Sequence, residues 1–396
     1  MKTRINTILS LFFCSSLIIG INSGRFEMYL MTILWFVFTL AYKKPIENKK
    51  YCKLNQLLMA FSMMPIIIQI YSLLIVCLGF GSIEYFSFNL STFLATILAY
   101  LVIVLFGKHS LQIGFVIIFL SWFIIFIKEF FAHGCLIIIN AIAQGWMGRS
   151  VSNVLESHEL VLAAIYYWCV YLFMGKKSKR QTIPISLMML FMCILGVKRI
   201  GLIAIVATTV LFLLLDNLKR KGQIRALRTL EIIGIFTSLL YLFFVYNTDI
   251  FNDFLLKYGI DSMSRNIFYE YICSKVGLAT SFVGLGRGAV MYLMKQQYSG
   301  YWYVHSDILK MYVELGFFMF VVWLLYYFVF LTEYIKKKFG IRSSIGYFVC
   351  ITFTFILYLT DNTESYFICV FIRILIPLYF CLNMDYLQRK KCCFRK

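Results

Sequence analysis

Three arginines and one lysine between 198 and 287 stand where a basic side chain is hard to explain as mere scaffold. Lys198 and Arg199 lie side by side between two short apolar runs, and Arg265 and Arg287 follow in a longer, less apolar segment. Arginine is always charged, and its planar guanidinium makes paired hydrogen bonds with phosphate or carboxylate oxygens. These cations therefore predict an anion-binding site. For Lys198 and Arg199, the alternative is a pair that buries its stems in apolar surroundings and keeps its charges in water.

A glycine-rich turn surrounds one of these arginines, in the order Gly284-Leu285-Gly286-Arg287-Gly288. It is not a P-loop, because the Gly-Lys-Ser/Thr ending is missing. Such a turn can expose backbone N–H groups around the arginine, which suits a phosphate or a sugar. Gly284, Gly286 and Arg287 are therefore candidate substrate-binding residues, although glycine-rich turns also occur without a ligand.

An aromatic stretch, 298–303, follows the glycine turn and contains Tyr301 and Trp302. Tyrosine and tryptophan commonly form belts at membrane interfaces. The alternative is a surface on which sugar rings stack, and this makes Tyr301 and Trp302 candidate substrate-binding residues.

Two titratable groups lie beyond the aromatic stretch, where a helix is predicted to enter the membrane. With an ordinary pKa of about 6.5, His305 could activate or orient a hydroxyl group near neutral pH. Glu314 lies four residues after Lys310, on the same helix face, and roughly 8–9 Å into the predicted span. Arg373 lies at a comparable depth in another span. Glu314 is expected to pair with one of these cations, in a structural ion pair or in a functional site.

The elements that must position these residues are membrane-spanning helices. The 396 residues are 61% hydrophobic with a mean hydropathy of +0.83, and apolar windows recur from end to end. Each window is long enough to cross about 30 Å of hydrocarbon as a helix. We therefore predict an all-α polytopic membrane protein in which residues 1–396 form a single transmembrane domain. About twelve spans are expected, near 5–22, 26–42, 57–79, 91–107, 111–131, 157–174, 183–197, 200–216, 230–246, 309–331, 344–360 and 366–383.

The net charge of +20 is distributed unevenly along the chain. With the N-terminus inside, the cytoplasmic segments hold most of the 38 Lys and Arg and few of the 18 Asp and Glu. This excess is the positive-inside signal, so both termini are expected in the cytoplasm. A nucleic-acid partner is not expected, because no soluble segment is large enough to present a basic face on a folded domain.

One long loop, 247–308, is predicted on the outer side between spans nine and ten. Long loops in compact proteins usually carry function. Three segments, 250–256, 267–272 and 289–294, look like short amphipathic helices lying on the outer interface. The alternative is an inert apolar cap over the helix bundle.

Taken in order, these residues resemble the O-antigen polymerase and ligase superfamily of bacterial surface polysaccharide assembly. The ligase pattern of His, then Asn, Ser or Gln, then nine residues and Gly is present as His305-Ser306 with Gly316. Met319 stands where the pattern has a second glycine, so the match to the ligase form is incomplete.

Three further motifs carry the resemblance, which covers about residues 190–320. The family's arginine motif at the start of a middle span corresponds to Lys198 and Arg199, with lysine in place of serine. Its loop arginine corresponds to Arg265, and its Gly-x-Gly turn to 284–286. Members are bundles of ten to fourteen helices with one large periplasmic loop, as predicted here.

The resemblance implies a metal-independent glycosyltransferase without a cofactor, which uses a glycan on undecaprenyl diphosphate as its donor. It implies a multi-pass protein of the bacterial inner membrane with an active site facing the periplasm. His305, Arg265 and Arg199 would be catalytic, and Arg287 would help to bind the diphosphate. The lipid bilayer and the lipid-linked oligosaccharide are the expected partners, with a chain-length regulator and a flippase as further candidates.

Four functions remain open at the level of the sequence. A polymerase, which joins repeat units on lipid carriers, is favoured over an O-antigen ligase, which passes the polymer to lipid A core, because the ligase glycine pattern is incomplete. A flippase or exporter of lipid-linked glycans would have a similar number of helices, but such transporters generally consist of two related halves. A non-catalytic scaffold would leave the outer arginines unexplained.

Overall fold

The structure, a computed structural model, describes residues 2–42, 48–147, 157–173, 176–258, 262, 264–298 and 303–392, and all of its regular elements are helices. These residues contain no β-strand. The helices are α1 (Lys2–Ser23), α2 (Arg25–Tyr42), α3 (Asn48–Cys77), α4 (Leu90–Phe106), α5 (Ser110–His133), α6 (Cys135–Trp146), α7 (His158–Ile165), α8 (Tyr167–Phe173), α9 (Lys176–Leu195), α10 (Arg199–Asn217), α11 (Arg220–Tyr246), α12 (Thr248–Lys257), α13 (Arg265–Lys275), α14 (Ala289–Gln297), α15 (Asp307–Leu325), α16 (Leu331–Phe339), α17 (Ile341–Tyr358) and α18 (Phe367–Cys392).

Six helical segments of the described chain are long and apolar enough to cross a membrane. They are Cys52–Cys77, Ile83–His133, Arg199–Asn217, Arg220–Tyr246, Asp307–Phe339 and Ile341–Tyr358. The segment Ile83–His133 contains two helices, α4 and α5, and other predicted spans fall on shorter apolar helices such as Phe367–Asn383. The protein is therefore a helical membrane protein, while the count of twelve spans and the cytoplasmic termini stay predictions.

Helix α18 lies at the centre of the bundle. It packs against α3, α4, α5, α7 and α17, and almost every side chain from 367 to 381 is buried. A helix that is apolar on all sides is expected in such a position. Arg373 is the one charged residue in this buried stretch, so the core of the fold must provide a partner for its guanidinium.

Three helix irregularities meet beside Arg373. Pro65 lies inside α3 and Pro377 inside α18, and a π-helical turn, Tyr326–Phe330, joins α15 to α16. Both prolines, Arg373 and Tyr327 line one cavity of about 10 Å³. Proline cannot donate the usual helical hydrogen bond and its ring bends the helix, so a small gap in the packing at this level has a direct cause in the sequence.

The large loop contains the three short helices expected from its sequence, as α12, α13 and α14. Between α13 and α14 the chain runs from 276 to 288 without helical structure. This irregular segment contacts α15 at Gly316, where the helix is interrupted by a backbone φ of 72° and ψ of 172°. The loop and the interrupted helix together form the site described next.

Candidate functional site

The interruption of α15 is compensated by the large loop. In an unbroken helix, the N–H of Phe317 would donate to the carbonyl of Val313. Instead, Phe317 donates to the Phe282 carbonyl at 2.9 Å, and the Val313 carbonyl accepts from the N–H of Leu285 at 3.0 Å. In membrane proteins, irregular backbone is tolerated where it is buried in protein or lines a polar cavity. The loop is thus an integral part of the bundle, not a cap lying over it.

The glycine turn directs its N–H groups into the protein. Gly286 donates to the backbone carbonyl of Glu314 at 3.0 Å, and Gly288 donates to Oε1 of the same residue at 3.0 Å. The N–H of Arg287 donates to the hydroxyl of Ser72 at 3.1 Å. The expectation that the turn offers these N–H groups to a ligand is therefore wrong. These N–H groups instead hold the turn against the rest of the bundle, and the Arg287 side chain remains a candidate for ligand binding.

A polar cavity of about 160 Å³ lies between this turn, α2 and the start of α15. It is lined by three cations, Arg25, Arg287 and Lys310, and by one carboxylate, Glu314. The polar residues that complete the lining are Ser87, Asn89, Tyr303, Asn362 and Ser365. The excess of positive charge favours an anion, and the volume suits a small group such as a phosphate.

Arg287 is the cation least satisfied by the protein itself. It is only 5% exposed, yet its guanidinium makes no hydrogen bond or ion pair with another described residue. By comparison, Arg25 donates to the hydroxyl of Tyr303 at 3.3 Å, and Lys310 donates to Ser365 at 2.8 Å. A buried arginine with five N–H donors is costly unless they find acceptors. Arg287 therefore leaves strong hydrogen-bond donors available at the cavity.

Glu314 does not form the ion pair expected for it. Oε1 accepts the Gly288 N–H, while Oε2 has no hydrogen-bond partner among the described residues. Arg373, one of its two expected partners, pairs with Glu364 at 2.5 Å. Lys310, the other, shares the cavity with Glu314 but does not lie within ion-pair distance of it. The predicted pairing of Glu314 is therefore wrong. The depth of Arg373 within its predicted span does not reveal that Glu364, in the turn before the same helix, is its partner.

That turn, 361–365, is a set of site residues that the sequence analysis missed. Asp361, Asn362 and Glu364 are buried in it, and Asn362 lines the cavity. The N–H of Glu364 donates to Oδ2 of Asp307 at 2.8 Å, and Tyr358 donates to Oε2 of Glu364 at 2.6 Å. The sequence did contain a signal for this turn. All five residues from 361 to 365 are polar, which is more than a simple connection between two apolar helices requires.

The charge of Glu364 is set by opposing effects. Burial raises the pKa of its carboxyl above the ordinary value of 4.5, and the nearby Glu314 raises it further. Arg287 and Lys310 lower it in part. Three charged residues that line the cavity, Arg287, Lys310 and Glu314, therefore all act on the pKa of Glu364.

His305 lies beside the cavity and does not line it. Its φ is 56°, and its carbonyl accepts a hydrogen bond from the Tyr269 hydroxyl at 3.0 Å. Its ring nitrogen Nδ1 lies 3.3 Å from Nδ2 of Asn362. Asn362 lines the cavity, so it connects the histidine to the polar pocket.

Arg265 lies on the same side of the site as His305. It opens α13 immediately after Ser264, and its side chain is half-buried. Its charge acts on the hydroxyls of Tyr241 and Tyr269, and Tyr269 holds the His305 carbonyl. Arg265 and His305 are thus linked through Tyr269, and their shared role in catalysis stays a prediction.

Lys198 and Arg199 occupy different environments. Lys198 is buried, and its charge acts on the thiol of Cys369, as do the charges of Asp361 and Asp307. Arg199 is exposed and does not line the cavity. Of this predicted pair, only the lysine is buried, and neither residue lines the cavity.

Backbone strain coincides with the three predicted catalytic motifs. The non-glycine residues with positive φ in the described chain are Val197, Ser264 and His305, at 52°, 66° and 56°. Val197 precedes the Lys198 motif, Ser264 precedes Arg265, and His305 is itself a candidate. Such conformations are costly and tend to occur at functional sites, where the surrounding structure enforces them.

Two of the predicted site residues, Tyr301 and Trp302, lie outside the described residues.

Arg25 and Asn89 line the cavity but are not among the residues predicted from the sequence. They come from the first half of the chain, where no site residue was expected. Arg25 had a visible signal, since it is a cation between two closely spaced apolar helices. In the described ranges, no group of three or more His, Cys, Asp or Glu could hold a metal ion.

Comparison with known proteins gives no family assignment. No protein-family model matches the chain, and no curated protein matches it.

Proposed function

We propose that the protein is a polysaccharide polymerase of the O-antigen, capsule or exopolysaccharide type. It transfers a glycan from an undecaprenyl-diphosphate-linked donor to the sugar hydroxyl of a lipid-linked acceptor, at the outer face of the bacterial inner membrane. The observation that carries the proposal is Arg287, a buried arginine whose donors face a basic cavity within a helical membrane protein. An anionic group attached to a membrane lipid suits such a cavity.

The cations of the cavity match the demands of this transfer. When the bond between the sugar and the diphosphate breaks, negative charge accumulates on the departing diphosphate. Fixed donors aimed at that charge stabilise the transition state more than the ground state. Arg287, Arg25 and Lys310 are positioned for this, and Arg287 can make bidentate contacts.

The acceptor hydroxyl would approach on the His305 side of the cavity. His305 and Asn362 lie there, and the charge of Arg265 acts on Tyr269, whose hydroxyl donates to the His305 carbonyl. The aromatic stretch that contains Tyr301 and Trp302 directly precedes His305 in sequence. The resemblance to the polymerase and ligase superfamily supports the same assignment, with His305, Arg265 and Arg199 as its catalytic candidates. It also makes the reaction one that uses neither metal nor nucleotide.

A deletion of the gene in its host tests the proposed function. A polymerase mutant is expected to carry surface glycan of a single repeat unit, and the wild-type gene should restore long chains on gels. Polymer that remains on the carrier lipid, without surface attachment, would indicate a ligase. Absence of all surface glycan, with single repeat units held inside the cell, would indicate a flippase.

A further inference from the structure

Glu314 is a buried carboxylate with one oxygen held and one oxygen without a partner. It is fully buried in α15, two residues before the interruption at Gly316. Oε1 is fixed by the Gly288 N–H at 3.0 Å, and Oε2 has no hydrogen-bond partner in the described chain. An unsatisfied buried carboxylate oxygen costs free energy, so its retention calls for a reason.

The cavity supplies that reason. Glu314 is the one carboxylate among the described residues that line it, and Arg287 and Lys310 line the same space. A diphosphate held by these cations would therefore lie next to Glu314. A hydroxyl approaching the same diphosphate-linked sugar would be the nearest ligand group able to donate to Oε2.

His305 is less well placed to take the proton of this hydroxyl. Its ring lies outside the cavity lining, and its Nδ1 is engaged with Asn362 at 3.3 Å. Its positive φ and the hydrogen bond from Tyr269 to its carbonyl fix its position beside the cavity. These contacts suit a residue that orients the acceptor through Asn362.

We propose that Glu314 is the catalytic base of the glycosyl transfer, an assignment that rests on the proposed function. Oε2 of Glu314 accepts the proton of the acceptor hydroxyl as that oxygen forms a bond to the anomeric carbon of the donor. The bond between the anomeric carbon and the diphosphate oxygen breaks, and its electron pair leaves with the diphosphate beside Arg287. The products are the elongated glycan, the free lipid diphosphate and protonated Glu314, which returns its proton to solvent.

Glu314→Gln is the sharpest test, because the amide oxygen of glutamine can still accept the Gly288 N–H while the proton acceptor is lost. The assay uses purified full-length protein in lipid vesicles with purified lipid-linked repeat units. General base catalysis contributes about 10²–10⁴-fold, so a loss of rate in that range is expected with little change in the apparent KM. Glu231→Gln is the matched control, since Glu231 is also buried with an unpartnered oxygen but lies in α11 away from the cavity.

Chemical rescue separates a catalytic role from a structural one. Glu314→Ala leaves space that formate can enter, and added formate is expected to raise the rate of this variant but not that of Arg287→Ala. A rate for Glu314→Gln near that of the wild type overturns the assignment, and so does a slow Glu314→Ala that formate leaves unchanged. If the folded wild-type protein produces no polymer in the same vesicles, the proposed function itself has failed.

Discussion

Gly284 in the large loop and Gly316 in α15 lie so close that a Cβ on Gly284 would stand 2.6 Å from the Gly316 nitrogen. Both have a positive backbone φ, of 93° and 72°, and residues that carry a side chain rarely adopt this conformation. The contact brings the loop backbone against the interrupted helix, and the hydrogen bonds to Val313 and Glu314 depend on it. The basic cavity therefore rests on two glycines that lie far apart in the sequence.

Alanine at either glycine is expected to destabilise the protein. A non-glycine residue in this conformation costs about 1–3 kcal/mol, and the overlap of the new Cβ with backbone adds about as much. The melting temperature of the purified protein in detergent, followed by tryptophan fluorescence, measures the effect. Gly277→Ala is the matched control in the same loop, because a Cβ there meets nothing within 4 Å. Equal melting temperatures for all three variants would contradict the described contact.

Replacement of Arg287 is expected to weaken the binding of diphosphate. Charge-assisted hydrogen bonds contribute about 1.5–3 kcal/mol, so Arg287→Ala should lower the affinity for inorganic diphosphate by about 10–100-fold. Arg287→Lys should restore only part of it, because lysine keeps the charge but cannot make bidentate contacts. Isothermal titration calorimetry on protein in nanodiscs measures the affinity.

The control for Arg287 is Lys257→Ala, which removes an exposed cation of the same loop at the end of α12. It should bind diphosphate as the wild type does. If Arg287→Ala and the wild type bind equally, the anion does not occupy this cavity.

The pH dependence of stability should contain a contribution from Glu364. Because its pKa is raised in the folded state, this group stabilises the fold below its ordinary value of 4.5. That contribution is lost as the pH rises through the raised value. Melting temperatures across this window should therefore fall less with rising pH in Glu364→Gln than in the wild type. The exposed Glu270 provides a control, since Glu270→Gln should keep the wild-type slope; identical slopes for all three proteins would refute the effect.

Alanine replacements of the predicted catalytic residues should separate activity from folding. Single changes of Arg265 or His305 are expected to abolish polymer ladders on gels while the protein remains in the membrane. Arg199→Ala is expected to have a smaller effect, because Arg199 is exposed and does not line the cavity. Lys198→Ala is expected to lower the amount of folded protein as well, because the Lys198 side chain is buried and its removal leaves a cavity. Normal ladders from all three of the first variants would remove the assigned catalytic residues from the account.

The sequence predicts the helices better than their arrangement. Apolar windows of sufficient length mark where helices lie, and each predicted span overlaps one. The three short helices of the loop are confirmed too. The interruption of α15 was not predicted, because Gly316 lies in a continuous apolar run and its conformation depends on the distant segment 282–285.

The site was predicted in part, for a similar reason. Arg287 and Glu314 were recognised because charge and depth are visible in sequence, and the structure places both at one cavity. Their true neighbours, Arg25 and Asn362, come from distant helices, so only the folded bundle brings them there. The pairing of Arg373 with Glu364 is a consequence of packing around the turn 361–365, which no local pattern specifies.

Reconstitution of the purified full-length protein tests the central claim most directly. Vesicles that contain only this protein and purified undecaprenyl-diphosphate-linked repeat units would be incubated, and the lipid-linked products separated by length. A polymerase yields a ladder of carrier-linked glycans with two, three and more repeats, and Arg287→Ala yields none. Intact single repeat units after incubation with folded protein, whether or not they have crossed the bilayer, would contradict the account.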